Sequence, residues 1–356
     1  MRIRLKPARE QVIVITGASS GIGLATARLA ALRGARLVLT ARNEATLESI
    51  ANDLRSRTEV EVVRADVGVE AEVNAVAEAA RRRFGGFDTW VNNAGVSIYG
   101  EVTEVSVEDQ RRLFETNFWG VVHGSRAALS VLRDRGGAII NIGSILSDRA
   151  IPLQGAYCAS KHAVKGWTDT LRMELEHAEV PVSVTLIKPS AITTPYVEGA
   201  KNLMDEEPAL PPPLYAPELV AEAILYAAEN QTRDFVVGGG GYMIALMGNL
   251  MPRLTDRVME RTMWSIQKSG EDKEQRANNL YRPTSKGLAR GGPHPGSGRE
   301  VSLFSALQMH QRAVGLGLAG AAGLVGLLAL AAEVMRPSTP ARRFSRTVSR
   351  ARRTWL

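Results

Sequence analysis

Tyr157 and Lys161 stand four residues apart in a stretch with helical periodicity, so their side chains share one face. A phenol ionises near ~10 and is a poor base at neutral pH. A neighbouring ammonium favours the phenolate and lowers that value, each unit being worth about 1.4 kcal/mol between the two protonation states. A phenol tuned in this way gives or takes the proton of an alcohol while a hydride moves at a neighbouring carbon. Ser144, on the loop after the apolar run 138–142, is placed to hold a substrate oxygen by hydrogen bond. A lone Tyr-x-x-x-Lys is more often a surface pair, so its company decides its meaning.

A hydride needs a carrier. The sequence Thr16-Gly17-Ala18-Ser19-Ser20-Gly21-Ile22-Gly23 follows an apolar run and opens a helical stretch. Gly17 allows a sharp turn off a strand, and Gly21 and Gly23 let backbone and helix approach a pyrophosphate. The helix N-terminus adds unpaired N–H groups and a partial positive charge. Between a strand and a helix, this spacing predicts a dinucleotide site. The second apolar run ends Leu39-Thr40-Ala41-Arg42, with no acid where a free 2′-hydroxyl usually meets one. Arg42 offers a fork of donors suited to a 2′-phosphate, so NADP(H) is expected over NAD. The plainer reading makes Arg42 a solvated residue at a helix start. Asp66-Val67 closes the third run, where Asp66 is placed to accept from an adenine amino group.

These groups need a common frame. Apolar runs at 12–16, 36–40, 60–63, 89–92, 138–142 and 182–187 alternate with Ala-rich helical stretches at 22–33, 44–56, 70–84, 107–134 and 155–177, and 235–239 adds an edge strand. Buried runs separated by helices predict a parallel sheet covered on both faces. The expectation is a single Rossmann-type, doubly wound α/β domain over 1–268. Residues 269–300 are charged and then Gly/Pro-rich, which reads as a flexible, solvated linker. A hydrophobic helix is expected over 301–335, and 336–356 is an Arg-rich tail.

Composition sets limits. The 356 residues are 45% apolar and 23% charged, ordinary for a folded chain. The single cysteine, Cys158, excludes an intramolecular disulfide, and the five histidines form no ligand-spaced cluster, so no metal is expected. Seven arginines in 336–356 account for the net charge of +7, leaving 37 basic against 37 acidic residues elsewhere. The high pI thus belongs to the tail. The apolar run after residues 1–10 is too short for a signal sequence, so the main domain is expected in the cytosol.

Across roughly residues 8–265 the chain resembles the short-chain dehydrogenase/reductase family. The likeness rests on TGASSGIG at 16–23, Asp66-Val67, Asn92-Asn93-Ala94-Gly95, Asn117, Ser144 and Tyr157-Cys158-Ala159-Ser160-Lys161, all in family order. The resemblance implies that Tyr157 is the acid/base, that Lys161 lowers its pKa and holds the nicotinamide ribose, and that Ser144 orients the carbonyl. It implies that Asn117 supports a water-linked proton relay and that Asn93, Ala94 and Gly95 line the cofactor. LTAR at 39–42 is similar to the family's NADP-preferring pattern. Pro189, Ile192 and Thr194 fit its nicotinamide-contacting stretch, although Ser190 replaces a frequent glycine. The family's habit also implies a homo-oligomer.

Other features read plainly. One helical step turns Cys158 about 100° from Tyr157, which favours a buried structural thiol, and His162 likewise points off the active face. Phe118 and Trp119 read as helix packing. The Met/Leu/Trp-rich segment 242–266 either roofs an apolar substrate pocket, forms core, or makes an oligomer contact. Residues 313–332 carry no charge, and as a helix they would extend about 30 Å, the thickness of a bilayer's hydrocarbon core. Gly315, Ala319 and Gly323 form a small-residue ladder suited to helix pairing in lipid, and the arginines beyond suit anionic headgroups. Membrane attachment is therefore expected, the alternative being a helix docked on a partner subunit. A single span would carry the arginine tail across the membrane, against the positive-inside tendency, whereas a re-entrant or interfacial segment keeps both ends in the cytosol. Nucleic-acid binding by the tail leaves the apolar stretch unexplained. A membrane-tethered NADP(H) sensor or scaffold is the non-enzymatic alternative, and the presence of Asn117, Ser144, Tyr157 and Lys161 together speaks against it.

Overall fold

In the computed structural model, which describes residues 3–284, 287–291 and 298–314, the apolar runs become seven parallel strands. They are β1 (Val12–Thr16), β2 (Arg36–Ala41), β3 (Val60–Arg64), β4 (Thr89–Asn92), β5 (Gly137–Ile142), β6 (Val182–Pro189) and β7 (Asp234–Val237). Their order across the sheet is β7-β6-β5-β4-β1-β2-β3. Every pairing is parallel. The chain's direction of winding reverses between β1 and β4, and a crevice opens there at the carboxyl ends of the strands.

The helices cover both faces because the strands are apolar on both sides. α1 (Gly21–Leu32), α2 (Glu44–Leu54) and α7 (Pro217–Glu229) bury Leu24, Leu47, Ile50 and Ile224 on one face. On the other, α3 (Glu70–Phe84), α5 (Gly120–Arg135) and α6 (Gly155–His177) bury Val73, Val76, Leu132 and Leu171. Sequence shows why α3 stops where it does. Glu70 and Glu72 stand in its first turn and Arg81–Arg83 in its last, complementing the helix dipole, and Gly85 adopts φ +74 just beyond.

Two readings need correction. The continuous helix expected over 107–134 is two helices, α4 (Val107–Phe114) and α5, joined by a π-helical turn at Glu115–Trp119. The extra residue in that turn places Asn117 inward, a displacement that a 3.6-residue period cannot reveal. The stretch expected to be a solvated linker is instead tied to the domain at particular points, although 270–277 and 281–283 stay exposed. Lys268–Asp272 pairs antiparallel with Glu206–Pro208, Leu280 is fully buried, and Ala289 joins the main core. Two of its arginines are paired: Arg276 meets Glu207, and Arg290 meets both Glu218 and Glu300. A single apolar anchor such as Leu280 has no periodicity to betray it.

Helices α8 (Gly239–Leu250) and α9 (Pro252–Ile266) follow β7. The hydrophobic helix expected over 301–335 begins as α10 (Leu303–Val314). It lies along the open side of β7, where the Gln308 amide accepts from Val236 N at 3.1 Å and donates to Val236 O at 2.7 Å. Ser305 Oγ accepts from Gly238 N at 3.2 Å. Side chains thus satisfy a strand edge that would otherwise offer bare backbone groups. Among the described residues no helix is long and apolar enough to cross a membrane. The apolar stretch beyond Val314 and the arginine tail lie outside the described residues.

Candidate active site

One end of the crevice is built by glycines that let neighbouring backbones meet. Gly17 has φ +66, and a Cβ there would stand 2.8 Å from Ala94 Cα. A Cβ on Gly23 would stand 2.3 Å from Gly17 O. Gly23 therefore seats α1 against its own entry turn, a packing requirement more than a pyrophosphate contact. Thr16 and Asn93 tie the crevice together. Thr16 Oγ1 accepts from Asn93 N at 2.9 Å and Ala94 N at 3.1 Å, and Asn93 Nδ2 donates to Thr16 O at 2.8 Å. Ser19, Ser20, Gly21, Ile22, Val67, Ala94 and Gly95 line the resulting cavity.

Arg42 and Asp66 face the same space. Asp66 takes Arg112 Nη2 on one oxygen at 2.5 Å and Gly68 N on the other at 3.0 Å, so an adenine amino group would share an engaged carboxylate. Arg42 donates to the carbonyl oxygens of Asn279 and, at 3.3 Å, Leu280. Burial pulls its pKa down, and the nearby Asp66 charge opposes that. The glycine turn, the amide end of α1 and this guanidinium fit a phosphorylated dinucleotide in the chemistry of their donors.

At the other end, α6 carries Tyr157 and Lys161 on one face. Lys161 Nζ lies 5.7 Å from the centre of the Tyr157 ring and donates to Ile142 O, at the end of β5, at 2.8 Å. Burial pulls Lys161 down to about 8. Burial also pushes Tyr157 up to about 12, against the opposing influence of the Tyr196 and Ser144 hydroxyls. This reverses the expected direction. Desolvation of the phenol outweighs its neighbours, and the ammonium is itself weakened by the same dry surroundings.

Ser144 Oγ caps a short turn by accepting from Leu146 N at 3.0 Å, while Ser144 N donates to Ser147 Oγ at 3.1 Å. That double tie fixes the serine beside the phenol. Asn117 is fully buried, and its side chain bridges three elements. Its amide donates to Val96 O at 3.0 Å and Ser160 Oγ at 3.1 Å, and its oxygen accepts from Val96 N at 2.8 Å. Those bonds commit the side chain to holding the loop after β4 against α6, so it is a positioning group here.

Pro189, Ile192 and Thr194 reach the same cavity. Thr194 packs on Gly21, where an added Cβ would meet it at 3.3 Å, so the loop after β6 abuts the glycine turn. Ser190 is accommodated. Its hydroxyl donates to Gly238 O at 3.0 Å, and a Cβ on Gly241 would come within 2.6 Å of it. The glycines after β7 provide the room that the missing glycine at 190 would have given.

The cavity holds about 2290 Å³ and is continuous from the glycine turn past Tyr157 to α8 and α9. Met243, Met247, Leu254, Met259 and Met263 line it there, so the segment 242–266 roofs the cavity, while Met259 and Met263 also join a buried cluster and Leu250, Met251, Val258 and Trp264 stay exposed. Cys158 is buried with Ile151, Met259 and Met263, and burial pushes its thiol up to about 11. Sequence reasoning missed Tyr196, whose ring meets that of Tyr157 edge-on at 5.6 Å. It also missed Gln154, which starts α6 and donates to Gln267 Oε1 at 2.8 Å. Neither residue stands at a motif spacing.

Comparison with known proteins agrees with this geometry. The sequence model of the short chain dehydrogenases matches residues 11–204. The chain is 45% identical over 335 residues to the uncharacterized oxidoreductase YxnA of Bacillus subtilis, covering 93% of this chain and 92% of that one. It is 34% identical to dehydrogenase/reductase SDR family member 7B of Danio rerio, over 72% of this chain and 87% of the other. An alcohol dehydrogenase from the archaeon Thermococcus sibiricus, solved with 5-hydroxy-NADP, superposes with a TM-score of 0.57 at 30% identity, over 64% of this chain and 95% of that one. L-Sorbose reductase from Gluconobacter frateurii, solved with NADPH and L-sorbose, gives 0.57 at 28% identity, over 67% and 97%.

Proposed function

As the chain belongs to the short-chain dehydrogenase family of oxidoreductases, we propose that it moves a hydride between NADP(H) and a lipophilic carbonyl or alcohol, with Tyr157 as acid/base. The observation that carries this reading is one continuous cavity bounded by the glycine turn, by Tyr157 and by a methionine-rich roof. The glycine turn at 17–23, Asn93, Ala94 and Gly95 would hold the dinucleotide, with Arg42 at the 2′-phosphate, Asp66 and Val67 at the adenine, and Pro189, Ile192 and Thr194 at the nicotinamide. The bound cofactor supplies or accepts the hydride.

The chain's own groups handle the proton. In the reducing direction, Tyr157 gives its hydroxyl proton to the carbonyl oxygen as that oxygen gains charge. A phenol whose pKa lies near 12 holds this proton at neutral pH, ready to be given. Ser144 donates to the same oxygen and orients it. Lys161, its pKa lowered to about 8 and its ammonium tied to Ile142 O, is poised to restore the proton and to hold the nicotinamide ribose. The apolar roof keeps water from the reacting carbon. NADP(H) is favoured over NAD by Arg42, and the NADP-type ligands of the two structural relatives agree with it.

The test is reduction of retinoid, steroid, fatty-acyl and aromatic carbonyls with NADPH and with NADH, with Tyr157→Phe run beside the wild type. Turnover with NADPH that vanishes in the variant is the expected result. Tight NADPH binding without turnover of any class would favour the sensor reading. We also propose a homo-oligomer and membrane attachment through 313–332. Carbonate extraction of the full chain against one ending at Val314 tests the attachment, and release of the full chain into the soluble fraction would refute it.

A further inference from the structure

Residues 276–284 and 287–291 run along the adenosine side of the cavity, and their backbone carbonyls meet the donors found there. Asn279 O and Leu280 O accept from the two terminal nitrogens of Arg42. Leu280 O also accepts from Arg112 Nε at 3.1 Å, and Leu288 O accepts from Gly21 N, at the start of α1, at 2.9 Å. The segment is anchored rather than draped. Leu280 has no exposed surface and packs with Val96, Ile98, Val105 and Leu113. Tyr281 donates to Asp109 at 3.0 Å, and Asn279 N donates to Gly199 O at 2.8 Å, next to the turn that carries Tyr196.

Asn279 and Leu288 line the same cavity as Gly17, Ser19 and Ile22. The segment therefore bounds that space without filling it. A guanidinium has five N–H donors in one plane. Two carbonyls that take one donor from each terminal nitrogen fix the plane and leave the remaining donors for an anion. Neutral carbonyls suit this task, because they orient the fork without the full negative charge that would compete with a phosphate.

We propose that this segment is the outer wall of the NADP(H) site, holding Arg42 toward the 2′-phosphate and parting when the dinucleotide enters or leaves. This role rests on the cofactor reading given above. In the full-length protein, amide hydrogen exchange over 279–284 and 287–291 should slow by about tenfold when NADPH saturates the site, and less with NADH. Leu280→Ala, which loosens the anchor, should raise the Kd for NADPH by about tenfold through faster dissociation and affect NADH less. Tyr281→Phe should act in the same direction to a smaller extent. Exchange that is unchanged or faster with NADPH would overturn the proposal, since the carbonyls would then be indifferent to the phosphates or compete with them. Unchanged dissociation from Leu280→Ala would overturn it as well. A wild type that binds neither dinucleotide would bring down the cofactor reading and the wall with it, whereas tight binding with an indifferent segment removes the wall alone.

Discussion

Lys161 is held by its own helix and the end of one neighbouring strand, whereas Arg42 is held by carbonyls 237 and 238 residues further along the chain. The two ends of the cavity differ throughout in this way. Tyr157, Lys161 and Ser144 sit on or beside long regular elements in dry surroundings. Arg42, Asp66 and the glycine turn meet through loops, and a distant segment closes over them. The chemical end must place atoms within fractions of an ångström at every turnover. On the proposed reading, the adenosine end has to admit and release a large anion, and walls drawn from loops and a distant segment would let it do so without disturbing the sheet.

If that division is right, damage at the two ends should look different. Tyr157→Phe should lower kcat by ~10²–10⁴-fold with little change in NADPH affinity, because a positioned proton donor is worth that much; stopped-flow turnover and fluorescence titration separate the two. A parallel loss of cofactor binding would blur the contrast. Arg42→Leu should do the reverse, weakening NADPH by about 10–100-fold while leaving NADH nearly untouched, the magnitude of a charged hydrogen bond set. Equal effects on the two cofactors would leave Arg42 a structural tie between the turn after β2 and residues 279–280.

A third measurement concerns the dryness of the chemical end. The pKa of Lys161, about 8 in the fold, lies below the ~10.4 of an unfolded lysine. Below pH 8 both states are protonated, and the buried charge opposes folding. Between about 8 and 10 only the unfolded state holds the proton, so stability rises with pH. Lys161→Met lacks this dependence. Its melting temperature should exceed the wild type's at pH 7, and the gap should narrow as pH rises toward 10. A constant gap would mean the ammonium is solvated. The smallest expected effect is at Cys158, whose buried thiol at about 11 should resist alkylation at pH 8 in the native protein and react only after unfolding. Rapid native labelling would show that the roof opens freely.

The same division explains what was legible beforehand. All seven strands and the helices α1, α2, α3 and α6 follow from short apolar runs and Ala-rich periods, because each element buries its own contiguous residues, whereas α7 was not among the stretches read. Tyr157 and Lys161 were readable because a four-residue spacing on one helix is a local fact and because the glycine turn, Asn117 and Ser144 accompany it in family order. Asn117 was reached only through the family resemblance, and the π-helical turn that aims it left no trace in the period. Leu280 and Tyr196 were invisible, since their importance lies in partners far along the chain. The pKa of Tyr157 was misjudged for a related reason. Adjacency to an ammonium is written in the sequence, but the loss of water around both groups is made only by packing.

Gln308 and Ser305 give α10 a duty unrelated to anything beyond Val314. A protein shortened to end before Leu303 would bare the outer amides of β7, and two such molecules could zip together strand to strand. Their clumping would resemble the behaviour of a stripped lipid-binding region while arising from an unhemmed sheet. Any dissection of the arginine-bearing end must therefore leave α10 in place.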